Sequence, residues 1–379
     1  MGGGASKTGA KYGSANSRVG SVGIKASFLL KFMAESDGGK ASFAGKTTEQ
    51  VIDQIRATNA LLGADIYTDV LKKTHKEGET GQAQWFVVHR HQAKFTALVD
   101  AILQTLEHLG LDPDATILWI DIFSSPQTAA AAALGAAGDE VSSRASAKSV
   151  SRHPQQWWLD MIAAVGGMNN ALIVANHSDL PVLVTRAFCL FEIYSAVKES
   201  SRLELCMSNE DRKQFWNHTV KDPAAFLKVS SSADLLRRAT TCSPADKDAI
   251  LEAVTRVAGK GSQEAGVAEV NSSVQRGLNE WVVAGIEAKI DAKEKAKDDT
   301  GVAALKGALG KLFMSMGDTN KAKFMLERSL SMKQKVKRNS VLATKRDDKT
   351  KKEAAAAAAA AASADRSKRL SASSGMSGP

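Results

Sequence analysis

The hydrophobic pattern between residues 84 and 208 alternates short apolar runs with longer amphipathic stretches. The apolar runs are continuous enough for strands buried on both faces of a sheet, and they cover 84–89, 116–123, 170–177 and 202–208. The amphipathic stretches have helical spacing, and they cover 92–110, 153–167 and 182–200. This alternation predicts an α/β fold in which helices flank a parallel sheet and ligands bind beyond the carboxyl ends of the strands.

The segments on either side have different patterns. Thr47 and Gln50 form a capping box that begins a helix, whereas the preceding residues are rich in Gly and Ser. We therefore divide the chain into a disordered N-terminus, a helical lead-in, an α/β domain, a helical region and a disordered basic and polyalanine tail, at 1–44, 45–83, 84–240, 241–336 and 337–379.

The helical region ends in a repeat-like segment over residues 303–336. Small and large apolar residues recur there at the spacing of one tetratricopeptide-type helical hairpin: Leu309, Gly310, Phe313, Gly317, Ala322 and Leu326. A single hairpin of this kind cannot bury its own apolar face. We expect it to pack on the preceding helices or to bind a partner protein.

The net charge of +9 is concentrated near the C-terminus. Residues 333–370 hold twelve Lys and Arg residues and four acids, so nearly all of the excess lies in the tail. Such a tail suits an acidic membrane surface or an acidic partner. Because no aromatic residues are interleaved with these basic residues, sequence-specific nucleic-acid binding is disfavoured.

The chain has three widely spaced cysteines and no apolar run of eighteen residues. The cysteine usage indicates a reducing, cytoplasmic compartment and argues against a disulfide framework or a zinc site, and no metal ligands are predicted. The short apolar runs argue against a membrane span. The first residues, MGGGAS, fit the pattern for N-myristoylation at Gly2. One acyl chain binds membrane weakly, so peripheral attachment would need a second signal, either the nearby basic residues Lys7, Lys11, Arg18 and Lys25 or the distant basic tail.

Glu192 is an acid inside the apolar stretch RAFCLFEIY. A half-buried charge costs several kcal/mol unless it is paired or used. Three interpretations remain open: an acid at the solvent edge of the helix, an ion pair, for example with Arg186 or a lysine, and a catalytic role. Cys189 lies one helical turn earlier, but a Cys/His protease would need a partner such as His177, and no nucleophile signature accompanies it.

Polar residues follow the first two predicted strands, where a ligand crevice would open. His89, Arg90 and His91 end the first strand and could bind a phosphate or cap the strand; Asp121 ends the second. We take His89, Arg90, Asp121 and the neighbouring Trp119 as candidate ligand-binding residues. The loop residues Ser124, Ser125 and Gln127 could also line this crevice.

Three segments, WFVVHRHQAKFTALVDAIL, ILWIDIF and NNALIVANHSDLPVLVTRAFCLFEIYSAV, together resemble the core of a TIR (Toll/interleukin-1 receptor) domain. The FCLFEI segment is similar to the Trp-Cys-Leu-x-Glu-Leu helix of that family. The resemblance implies a flavodoxin-like parallel sheet. In catalytically active members the Glu of this helix supports NAD cleavage, a role that would fall on Glu192. Two departures stand out: Phe188 replaces the usual Trp, and a long insertion occupies 124–152.

The resemblance to TIR domains, followed by a kinesin-light-chain-type repeat as in multi-repeat proteins of algae and other protists, implies a signalling or scaffold protein. Its partners would be proteins, bound through the TIR-like unit and the hairpin, and copies of itself. The alternative is an NAD glycohydrolase that uses Glu192, with NAD as the substrate and no resident cofactor.

Overall fold

The computed structural model describes residues 21–127, 162, 164–176, 183–223, 225, 235–241, 244–258 and 261–373. The chain divides into two compact units between Ala284 and Gly285. The first unit is a mixed α/β structure and the second is helical. Among the helices of the described residues, none combines the length and the apolar character that a membrane span requires.

The described residues form six strands: β1 Val22–Lys25, β2 Thr80–Gln82, β3 Trp85–Val88, β4 Ile117–Trp119, β5 Asn170–Val174 and β6 Arg202–Cys206. They also form twelve α-helices: α1 Phe28–Glu35, α2 Thr48–Leu61, α3 Tyr67–Lys73, α4 Phe95–Leu109, α5 Asp121–Ser124, α6 Ala187–Lys198, α7 Asn209–Lys221, α8 Leu235–Arg238, α9 Pro244–Val257, α10 Gln263–Lys295, α11 Asp299–Ser315 and α12 Thr319–Ser373. Short 3-10 helices occupy Gly39–Phe43 and Glu77–Glu79.

The strands form one sheet in the order β2-β1-β4-β3-β5-β6. Strands β4, β3, β5 and β6 are parallel, as the continuous apolar runs predict, whereas β1 pairs antiparallel with both β2 and β4. From β3 the chain passes to β4 on one side of it and then returns to β5 and β6 on the other side. The boundary between β3 and β5 is therefore the point at which the strand order switches direction. In an open α/β sheet, this switch point is where a ligand crevice opens.

The N-terminal region differs from the prediction that 1–44 is disordered. Residues 22–43 form β1, α1 and a 3-10 helix, and Phe28, Phe32 and Phe43 pack into the core. Gly23 permits β1 to lie against β4, because a Cβ there would stand 2.2 Å from the carbonyl oxygen of Leu118. The parallel sheet is therefore extended by two antiparallel strands, β1 and β2, that hydrophobic periodicity does not reveal.

Helices cover both faces of the sheet. On one face, α4 buries Phe95, Leu98, Ile102 and Leu106 against the sheet and ends at Gly110, whose φ of +67° stops the helix. The opposite face carries α6, which contacts β3, β5 and β6. Helix α2 begins with the predicted capping box. The predicted helix 153–167 lies mostly outside the described residues.

The second unit contains an antiparallel-type hairpin of α11 and α12 joined at Gly317. The helices approach closely because Gly310 has no side chain: a Cβ there would stand 2.7 Å from the Cγ of Leu326. The Ser329 hydroxyl donates to the carbonyl oxygen of Ala303 at 2.6 Å. Helix α12 also continues through the predicted disordered tail to Ser373, which agrees with the high helix propensity of alanine.

Candidate functional site

The carboxyl ends of β3 and β4 bring three polar side chains together. Because β3 and β4 are parallel neighbours, the residues that follow each strand meet at the same edge of the sheet. His89 and His91 follow β3, and Asp121 begins the short helix α5 after β4. We call these three residues the His–His–Asp cluster. The strand predicted over 116–123 ends at Trp119, and the turn into α5 is what directs the Asp121 carboxylate toward the histidines.

Asp121 is the centre of this cluster. Its Oδ2 lies 2.6 Å from Nε2 of His91, its Oδ1 lies 3.6 Å from Nε2 of His89, and the same Oδ1 accepts from the backbone N–H of Ile122 at 2.7 Å. The loop behind it is held by its own polar groups, since Ser125 and Gln127 both donate to the carbonyl oxygen of Asp121. These two residues therefore support the turn that carries Asp121.

The two histidines have opposite protonation tendencies. Burial lowers the pKa of His89 to about 4, so its ring is neutral at physiological pH. Burial also opposes charge on His91, but the charge and hydrogen bond of Asp121 outweigh this and raise the pKa of His91. Burial likewise opposes charge on Asp121, but the two histidines and the Ile122 N–H hold its pKa well below the usual range. Asp121 therefore stabilises the charged form of His91, and the two side chains form an ion pair when His91 is protonated.

Glu192 lies on α6 and is partly buried. It forms no ion pair or hydrogen bond with Arg186 or with any other residue in the part of the chain that the structure describes. Burial, followed by the negative charge of Asp121, raises its pKa well above the ordinary value. Within those residues no cation pairs with Glu192, so the ion-pair interpretation has no support there. The charge that shifts its pKa is that of another carboxylate, Asp121.

Cys189 lies one turn before Glu192 and is 4% exposed. Its thiol faces the backbone carbonyl oxygen of His89, with Sγ 3.6 Å from that oxygen. Burial, followed by the charge of Glu192, raises the pKa of the thiol well above its ordinary value. A nucleophilic cysteine needs a lowered pKa, so this environment disfavours the protease interpretation. His177, its proposed partner, lies outside the described residues.

A cleft of about 240 Å³ opens at the switch point on the α4 face of the sheet. His89 and Arg90 from the end of β3, Asn176 beyond β5 and Asp211 of α7 supply polar groups to its wall. His89 belongs to both this cleft and the His–His–Asp cluster. The volume suits a ribose or a phosphate group, since sites for larger ligands span about 300–1,000 Å³.

The structure brings most of the predicted site residues to this edge of the sheet. His89, Arg90 and Asp121 meet there, and Glu192 is near enough to respond to the charge of Asp121. Trp119 differs from its prediction as a ligand-binding residue. It is 1% exposed and stacks on Phe86 in the core, with ring centroids 4.9 Å apart. Gly2, the predicted acylation site, lies outside the described residues.

His91 was predicted only as a possible phosphate ligand or strand cap beside His89 and Arg90, and its contact with Asp121, at 2.6 Å, was not predicted. The signal that identifies it is the His-x-His spacing directly after a buried strand, followed by an Asp at the end of the next strand in the chain. Since parallel neighbouring strands end at one edge, that spacing places both imidazoles within reach of the acid.

Comparison with known proteins identifies no relative of this chain. No protein-family model matches the chain, no curated protein matches it, and no solved structure matches it.

Proposed function

We propose that this protein hydrolyses the N-glycosidic bond between nicotinamide and ribose in NAD at the carboxyl edge of the sheet, with Glu192 as the catalytic carboxyl. The observation that carries this proposal is a partly buried acid with a raised pKa and no partner among the described residues. Such a group costs stability, and an acid with a perturbed pKa is a candidate for catalysis. Glu192 does not line the cleft beside His89 and Arg90; it lies on α6, near enough to the carboxyl edge of the sheet to respond to the charge of Asp121. The resemblance of FCLFEI to the TIR helix supports the same residue.

The strand order gives independent support. Strands β4, β3, β5 and β6, taken in chain order, have the sheet order 2-1-3-4, which agrees with a flavodoxin-like arrangement. In that arrangement the nucleotide crevice opens between the first and third strands, which here are β3 and β5. Arg90 at this point supplies a positive charge that suits a pyrophosphate.

The proposed chemistry follows from the charge on each species. The bond from ribose C1′ to the nicotinamide nitrogen breaks and its electron pair leaves with nicotinamide, while water adds to C1′ and releases a proton to solvent. The positive nicotinamide ring favours the ionised form of Glu192, so substrate binding lowers the pKa that burial raises. The resulting carboxylate then stabilises positive charge that develops on the ribose.

The test is release of nicotinamide from NAD by the purified full-length chain, followed by chromatography. Wild type is compared with Glu192→Gln and with Glu199→Gln, an exposed acid near the end of the same helix. We expect release by wild type and by Glu199→Gln, and a loss of about 100-fold or more in Glu192→Gln. Equal turnover in the Glu192 variant, or none in wild type at high protein concentration, would contradict the proposal.

A second candidate function, binding of proteins including a second copy of this chain, is favoured by the hairpin. Four large apolar side chains there are 38–58% exposed: Met314, Met316, Phe324 and Leu330. Self-association through this surface is tested by sedimentation velocity of the full chain. We expect the substitutions Phe324→Ser and Leu330→Ser together to shift a concentration-dependent oligomer toward monomer. A wild type that is monomeric at all concentrations would remove self-association.

A further inference from the structure

The imidazole of His89 places a buried Nε2 atom in the His–His–Asp cluster. Its side chain is 3% exposed, and its Nε2 has no hydrogen-bond partner among the described residues. The other ring nitrogen faces the backbone carbonyl of Val87. A buried imidazole nitrogen without a partner costs free energy, whereas a histidine fixed by a backbone carbonyl through one nitrogen is the arrangement that metal-binding histidines adopt.

The distances within the cluster suit one metal ion. One ligand atom from each of His89, His91 and Asp121 can be chosen so that all lie within 4.8 Å of one another. Two atoms each bound to a tetrahedral zinc ion lie about 3.3 Å apart, because each metal–ligand bond is about 2.0–2.1 Å long. Nε2 of His89 lies 3.6 Å from Oδ1 of Asp121, close to this spacing, whereas Nε2 of His91 lies 2.6 Å from the other oxygen, Oδ2. A zinc ion bound to both histidines and to one of these oxygens therefore requires the contact between His91 and Asp121 to open.

We propose that His89, His91 and Asp121 form a binding site for one divalent transition-metal ion of the zinc type. Two imidazole nitrogens and one carboxylate oxygen are donors that such ions prefer, whereas Mg²⁺ prefers oxygen alone. Three protein ligands leave the fourth position of a tetrahedral ion for water or another small ligand. The inference rests on the cluster itself and not on the proposed cleavage of NAD.

The backbone around the cluster supports a defined geometry. His89 directly follows the buried strand β3, and Asp121 is fixed by its bond from the Ile122 N–H and by the turn that Ser125 and Gln127 support. Two of the three ligands are therefore positioned by regular elements. His91, with a side chain 34% exposed, can move to open the contact that a bound ion requires.

The experiment is calorimetric titration of the metal-stripped full-length chain with Zn²⁺. We expect one equivalent to bind, with about 100-fold or more weaker binding in His91→Gln, whose partly exposed position tolerates the change. His75→Gln, an exposed histidine outside the cluster, is the matched control and should bind as wild type does. Mg²⁺ should give no binding at the same concentration.

Two further measurements distinguish metal binding at this site from adventitious metal binding elsewhere. Co²⁺ in place of zinc should give a visible absorption band from four-coordinate nitrogen and oxygen ligands, and this band should be lost in His91→Gln. Zn²⁺ should raise the Tm of wild type and of His75→Gln, and a chelator should reverse the rise. Failure of wild type to bind one equivalent, or equal affinity in His91→Gln, would overturn the proposal whether or not the chain cleaves NAD.

Discussion

Glu192→Gln is expected to make the protein more stable at neutral pH while abolishing nicotinamide release. Glutamine has nearly the same shape as glutamate and carries no charge to desolvate. Stabilising changes of this kind are worth about 0.5–2 kcal/mol in the free energy of unfolding. Opposite effects on stability and activity are characteristic of a residue retained for function rather than for folding.

The pH dependence of this effect follows from the raised pKa of Glu192. In the unfolded chain the carboxyl ionises near pH 4.3, whereas in the folded chain it keeps its proton to higher pH. Folding therefore binds a proton, and stability falls as the pH rises from about 4.3 through the folded pKa. The advantage of Glu192→Gln should be absent below about pH 4 and largest above the folded pKa.

Denaturant unfolding of wild type, Glu192→Gln and Glu199→Gln at pH 4 and pH 8 measures this difference. Glu199 is exposed and directly follows the same helix, so its substitution should leave stability almost unchanged at both values. A Glu192 variant that is less stable than wild type at pH 8 would show that the carboxylate is held by a stabilising cation.

Asp121→Ala is expected to destabilise the first unit by about 2–3 kcal/mol. The substitution removes the partner of His91, the acceptor for the Ile122 N–H and the charge opposite His89. Asp121 is partly exposed, which places the effect between that of a surface ion pair and that of a fully buried one. The exposed pair between Asp69 and Lys72 gives the control, and Asp69→Ala should cost less than about 1 kcal/mol.

The pH range in which Asp121→Ala destabilises the protein depends on the pKa values of both Asp121 and His91. The pKa of Asp121 is lowered, so its stabilisation is present above about pH 3.9 and is lost as the pH falls through the folded value. The pKa of His91 is raised, so its contribution is complete below about pH 6.5 and is lost as the pH rises through the folded value. The stability difference should be largest near pH 5–6.

Denaturant unfolding with a chelator present measures this window without a contribution from bound metal. A difference between wild type and Asp121→Ala that stays constant from pH 3 to pH 9 would contradict the ion pair between His91 and Asp121.

Strong periodicity was enough to predict the elements that surround the site. The continuous run WFVV predicts the buried strand β3, and Phe95, Leu98 and Ile102 at helical spacing predict α4. Strand β1, which lies between β2 and β4, was not predicted because it is four residues long and lies in a segment rich in Gly and Ser. Its place in the sheet depends on a long-range approach to β4 that local sequence does not encode.

The sequence predicts most of the residues of the site but not the contacts between them. The sequence places Trp119 and Asp121 two residues apart at the end of a strand, yet β4 ends between them and the chain turns into α5. One side chain consequently enters the core and the other faces the histidines. Whether Glu192 meets a cation depends on the packing of α6 against three strands, which periodicity within one helix cannot determine.

The central claim is that Glu192 is an unpaired acid held at the carboxyl edge of the sheet. Titration of the full-length chain labelled with ¹³C at glutamate side-chain carboxyls, followed by NMR and assigned by difference from Glu192→Gln, measures its pKa directly. We predict a pKa well above the ordinary value of 4.5. A pKa at or below 4.5 would show that the Glu192 carboxylate is solvated or paired with a cation, and either result would contradict this claim.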